Sequence, residues 1–167
     1  MKQALIIAVV LLVVAAAVFA WQRTKSRANT PRTFQTTNDY IQFMAGEAVK
    51  DAEKEEWITL DYSIDSIKKV DVVLGHIHDQ YVKNKLSSDV DALASAYGAY
   101  IGEVIRRSEP GAKWERDHPV AGPKSYPLHW GSGDSFPMAW CHHRITEGEE
   151  DSVWVKYYVL KQKVHSN

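Results

Sequence analysis

Apolar positions fall into three regimes along the chain. From Ala4 to Trp21 they are continuous, eighteen residues without a charge, a proline or a glycine. From about Asp39 to Pro110 they recur at three- and four-residue steps, and beyond Pro110 they are broken up by Pro, Gly, Trp and His. About twenty apolar residues cross a bilayer as a helix, so the first regime predicts a transmembrane helix.

The middle regime predicts three more helices. The first runs from Asp39 to about Ile58, with Tyr40, Ile41, Phe43, Met44, Ala48 and Ala52 apolar before the charged run DAEKEE. The second, capped by Ser63, repeats Ile64, Ile67, Val70, Leu74, Ile77 and Tyr81. The third starts near Ser88 or Asp89 and ends at Pro110-Gly111; it is apolar around most of its circumference, which places it at the centre of the domain. Ala94, Gly98 and Gly102 form one stripe on it. Glycine inside a helix costs up to about 1 kcal/mol against alanine, so the stripe predicts close approach of another element.

The last regime predicts strands and a closing helix. Trp114 falls on a short strand, and Tyr126–Trp130, a turn at 131–134 and Phe136–Ile145 make a hairpin. After a turn at 148–152, Val153, Tyr157, Leu160 and Val164 fit a C-terminal helix, with VWV leaving a strand as the alternative. Helices, then strands, then a helix give an α+β class. The expected architecture is an N-terminal transmembrane helix, then helices packed on a small antiparallel sheet with a C-terminal helix.

Composition and charge divide the chain further. Residues 1–21 read as a membrane anchor or signal segment, 22–38 as a basic, flexible tether interrupted by Pro31, and 39–167 as a single α+β domain. Lys2 as an n-region and a cleavage site after Ala20 form the signal-peptide alternative, which leaves a secreted or periplasmic product. As an anchor, residues 4–21 cross a bacterial inner membrane once. Arg23, Lys25, Arg27 and Arg32 favour a cytoplasmic domain and the export-like amino terminus a periplasmic one, so the face stays open.

Five of the twenty Lys and Arg precede residue 33, whereas all twenty-one Asp and Glu lie at or after Asp39. The domain therefore carries about six net negative charges, a poor surface for nucleic acid and a suitable one for a basic protein. The lone cysteine, Cys141, permits no internal disulfide.

Candidate chemistry concentrates between residues 103 and 143. Glu103, in an apolar helix, is either a catalytic acid or base or a hydrogen-bonded structural group. On a strand, Cys141 and His143 would share a face and His129 would supply a third ligand, a donor set that suits zinc. Cys141 with a histidine is also the candidate nucleophilic pair of a small hydrolase. No CxxC or HExxH spacing is present, and no cofactor is predicted. The WGSGD turn is either a hairpin turn or an anion cradle. Trp114, Trp130 and Trp140 are the candidate partner-binding residues, since exposed tryptophans make binding hot spots.

YGAYIGEVIRR, then Trp114 in GAKW, then a Pro-containing strand entering HHRITEGEEDSVWVKYY resemble a small α+β domain of uncharacterised bacterial proteins with a Gly-Ala-x-x-Gly-Glu central helix. The likeness spans roughly residues 60 to 162 and implies a fold and an accessory bacterial role, with no catalytic residues to carry over. The leading expectation is a membrane-delivered, non-enzymatic protein-binding module. It would act as an immunity-type inhibitor of a basic toxin or as an accessory envelope protein; the hydrolase or zinc reading is the alternative.

Overall fold

Thr36 starts the first helix. Its hydroxyl accepts from the Asp39 amide at 3.1 Å while the Asp39 carboxylate accepts from the Thr36 amide at 3.0 Å, a reciprocal cap. Helix α1 (Thr37–Glu56) follows, burying Ile41, Ala45, Ala48 and Ala52 along one stripe. The structure is a computed structural model and describes residues 32–165.

Helix α2 (Ser66–Val82) begins after a loop tied down by Tyr100. That phenol oxygen accepts from the Tyr62 amide at 2.7 Å and lies 2.7 Å from the Ser66 hydroxyl. Asp89 caps α3 (Val90–Ser108), accepting from the Asp91 and Ala92 amides. As its apolar circumference predicts, α3 is central: every residue from Ala96 to Ile105 is buried. It packs against α1 on one side and against the fourth helix on another. A fully buried Ile or Val contributes about 1.5–3 kcal/mol, so Ile101, Val104 and Ile105 make α3 the scaffold.

The sheet is antiparallel, in the order β1 (Lys113–Trp114), β2 (Leu128–Trp130), β3 (Gly133–Ser135). Strands this short are marginal alone, and two tryptophans hold them to the helices. Trp114 lies over Gly102 of α3, where an added Cβ would come within 2.0 Å of its ring. Trp130 stacks on Tyr157 at 6.2 Å. Helices α4 (Pro137–Thr146) and α5 (Val153–His165), with a short 3₁₀ turn at Glu149–Asp151 between them, complete an α+β fold.

Two expectations are corrected here. The expected transmembrane helix finds no support in the fold: among the described residues no helix is long and apolar enough to cross a membrane. Residues 4–21 and most of the tether lie outside the described residues. The second correction concerns 136–145, expected as a strand. The hairpin turn falls at Gly131-Ser132, so β3 ends at Ser135, and Pro137 opens a helix with the φ a first turn needs. Its buried positions Pro137, Cys141, Arg144 and Ile145 follow a helical period.

Asp71 joins three helices. Its Oδ1 accepts from the Val153 amide at 2.9 Å and from Arg144 Nε at 3.3 Å, while Oδ2 accepts from the Ser152 hydroxyl at 2.8 Å. It caps α5 from the flank of α2 and pairs with α4. Asp71→Ala is expected to cost about 2 kcal/mol, read as a lower urea midpoint with an unchanged slope.

Candidate functional site

Most residues singled out by sequence sit apart from one another. Cys141 lies on α4 and is fully buried, and burial pushes its thiol well above the ordinary cysteine range. A buried, protonated thiol has no nucleophilic character. His143 is two residues further along the same helix, about 200° around it. It is exposed, with Nδ1 3.9 Å from Asp151 Oδ1. The shared face expected of Cys141 and His143 required a strand and is lost with it.

His129 is on β2, with Nδ1 2.9 Å from Asp134 Oδ1, and the same carboxylate also faces His118 Nε2 at 3.3 Å. Asp134 thereby turns the WGSGD turn into a histidine-bound hairpin end. Among the described residues no group of three or more His, Cys, Asp and Glu is placed to hold a metal ion, so His129, Cys141 and His143 are not assembled.

Glu103 is a structural carboxylate. Its side chain is 3% exposed and takes two hydrogen bonds from Arg106, Nε at 2.7 Å and Nη2 at 2.9 Å, and one from Trp114 Nε1 at 3.0 Å. Burial alone would raise its pKa; the Arg106 fork and the indole N–H outweigh burial and hold the carboxyl below its ordinary value. Trp114 is consequently in the core. Trp130 is also buried, its Nε1 donating to the Ser135 hydroxyl at 2.7 Å. Neither ring offers a face to a partner. Trp140, on α4 rather than on the sheet, is half-buried against the core.

Among the described residues the indole displayed most fully to solvent is Trp57, 90% exposed. It ends α1 in the left-handed region at φ 57°, where a helix usually places glycine, and its amide and that of Ile58 both donate to the Ala52 carbonyl. A side chain in that conformation costs about 1–2 kcal/mol. Nothing in the packing of the core offsets this, because the ring meets water. Glu53, Glu55 and Glu56 precede it, negative charges at the negative end of a helix dipole, with Lys54 the basic residue of that turn.

Beside this helix end runs a groove of about 150 Å³. Its apolar lining is Val73, Ile77, Leu86 and Leu93, and its acids are Asp51, Glu55 and Glu56. Asp51 is held from below by the Tyr97 hydroxyl, which donates to Oδ2 at 2.7 Å. Burial, and then the hydrogen bond to Asp51, raise the Tyr97 phenol far above its ordinary range, so it stays a donor. Glu56 Oε2 sits 2.7 Å from His76 Nδ1. The arrangement can hold a cationic side chain, with methylenes against the apolar lining and the head group among carboxylates.

Sequence reasoning overlooked Trp57. The available signal was a bulky residue at a helix end that lacks glycine and runs against the dipole.

Comparison with protein-family models, with curated proteins and with solved structures finds no match.

Proposed function

We propose that this chain is a protein-binding module that docks a basic partner over the end of α1. Trp57 carries the reading: a large aromatic ring is displayed to water on a strained backbone position that the fold itself would fill better with glycine. Tryptophan, with tyrosine and arginine, is enriched at interface hot spots. The acids around it destabilise their own helix end and favour a cationic partner, in keeping with the acidic balance of the domain. A toxin held inactive is one case of such a partner.

A photo-crosslinking residue placed at position 57 of the full chain tests this. The expected result is one dominant adduct, with a protein of net positive charge. The adduct disappears when Glu55 and Glu56 are both changed to lysine, and it is absent when the crosslinker sits at the exposed Gln162 on α5. Equal labelling from 57 and 162, or an adduct indifferent to the charge reversal, would overturn the proposal.

A further inference from the structure

On the other side of the first turn of α3 lies a larger cleft, about 390 Å³, between α3, the 117–126 loop and α4. Its apolar walls are Ala94, Tyr126, Phe136 and Met138. The aromatic walls are fixed before any ligand arrives: Tyr126 stacks on Tyr40 at 4.8 Å, and Phe136 meets His118 edge-on at 5.3 Å.

The loop that closes the cleft is tied to itself. The Ser125 hydroxyl donates to the Gly122 carbonyl at 2.7 Å and accepts from the His118 amide at 2.9 Å. Asp117 Oδ1 accepts from the Lys124 amide at 2.6 Å, and His118 Nδ1 accepts from the Val120 and Ala121 amides, both at 3.2 Å. Asp117 and Lys124 take positive φ values of 60° and 64° inside these ties. Lys124 is thereby held at the rim, and no carboxylate among the described residues pairs with its ammonium. The cleft is also lined by Asp91, an exposed carboxylate whose Oδ1 lies 3.5 Å from His142 Nε2. The cleft thus combines a preset apolar interior with a lysine ammonium at its rim that no described carboxylate pairs with.

We propose that this cleft binds a carboxylate carrying an aromatic or bulky apolar group, with the carboxylate on Lys124 and the apolar group between Tyr126, Phe136 and Met138. The same chemistry comes from a free aromatic acid or from the C-terminal residue of a peptide. The site is separate from the Trp57 surface and does not depend on it.

The test is a calorimetric and NMR titration of the full chain with 3-phenylpropionate, N-acetylphenylalanine, and a hexapeptide ending in Phe, both as the free acid and as the amide. Saturable binding of free acids is expected, with shifts centred on Tyr126, Phe136 and Met138, and about tenfold weaker binding of the amide. Lys124→Met should weaken the acids by about tenfold as well, while Lys124→Arg retains them and Trp57→Gly changes nothing. Neither Lys124 variant alters the backbone bond to Asp117, so folding is preserved. A peptide acid that binds more tightly than phenylpropionate identifies a chain terminus as the ligand, and equal affinities identify the small acid. No saturable binding by any probe, acid and amide bound alike, or a Lys124→Met variant with wild-type affinity would overturn the proposal.

Discussion

Gly98→Ala is expected to destabilise the fold by about 3 kcal/mol, at the upper end of what overpacking costs. A Cβ at position 98 would lie 2.4 Å from the Met138 Cα and 2.5 Å from its backbone nitrogen. The obstacle is main chain in the first turn of α4, so no rotamer change relieves it; α4 must move off α3. Gly46 supplies the internal control. It lies in α1 with nothing within 4 Å of an added Cβ, so Gly46→Ala is expected to stabilise by up to about 1 kcal/mol through helix propensity. Urea denaturation of the pair checks both signs, with unchanged slopes showing that the unfolded state is not the cause. Two alanine substitutions in helices, opposite in effect, separate close packing from propensity.

Glu103→Ala is the other large effect. It leaves the Trp114 indole N–H unbonded in the core and frees a guanidinium that had been held at two points. Breaking a buried pair costs about 3–5 kcal/mol, and Arg106, 37% exposed, is screened by water at its own end. The expected cost therefore falls near the lower limit, about 3 kcal/mol. Glu103→Gln keeps an acceptor for Trp114 and should cost less.

The pH dependence has a definite sign. The folded-state pKa of Glu103 is depressed, so its contribution is complete above the ordinary carboxylate value. It fades as pH falls below that value and is gone once pH passes the depressed folded value. The gap in stability between wild type and Glu103→Gln is thus constant near neutrality and closes in acid. A gap that stays open in acid would show that the amide perturbs packing rather than charge.

The helices were legible because their apolar residues repeat with a period that burial enforces. Ile67, Val70, Leu74 and Ile77 in α2, and the glycine stripe in α3, are cases in which pattern and packing agree. The stretch 136–145 was not legible as a helix. Its aromatic residues and its place after a Gly turn outweighed Pro137, and that error carried Cys141, His143 and Trp140 onto a strand that does not exist. Trp114 and Trp130 drew attention by their density, yet each indole N–H has an internal acceptor, and such pairs are invisible before the chain folds.

Trp57 escaped for the opposite reason. It belongs to no repeat, and what marks it is a conflict of side chain, backbone conformation and exposure at one helix end. The cleft around Lys124 escaped because its walls come from residues far apart in sequence, Ala94, Tyr126 and His142 among them.

Folding stability and partner affinity, measured side by side on Trp57→Gly, address the central claim most directly. Glycine relieves the left-handed strain at this helix end, so stability should rise by about 0.5–1 kcal/mol over wild type. Affinity for the crosslinked basic partner should fall by about thirtyfold or more, the loss expected when a tryptophan hot spot is removed. A variant that is more stable and still binds with wild-type affinity would contradict the account.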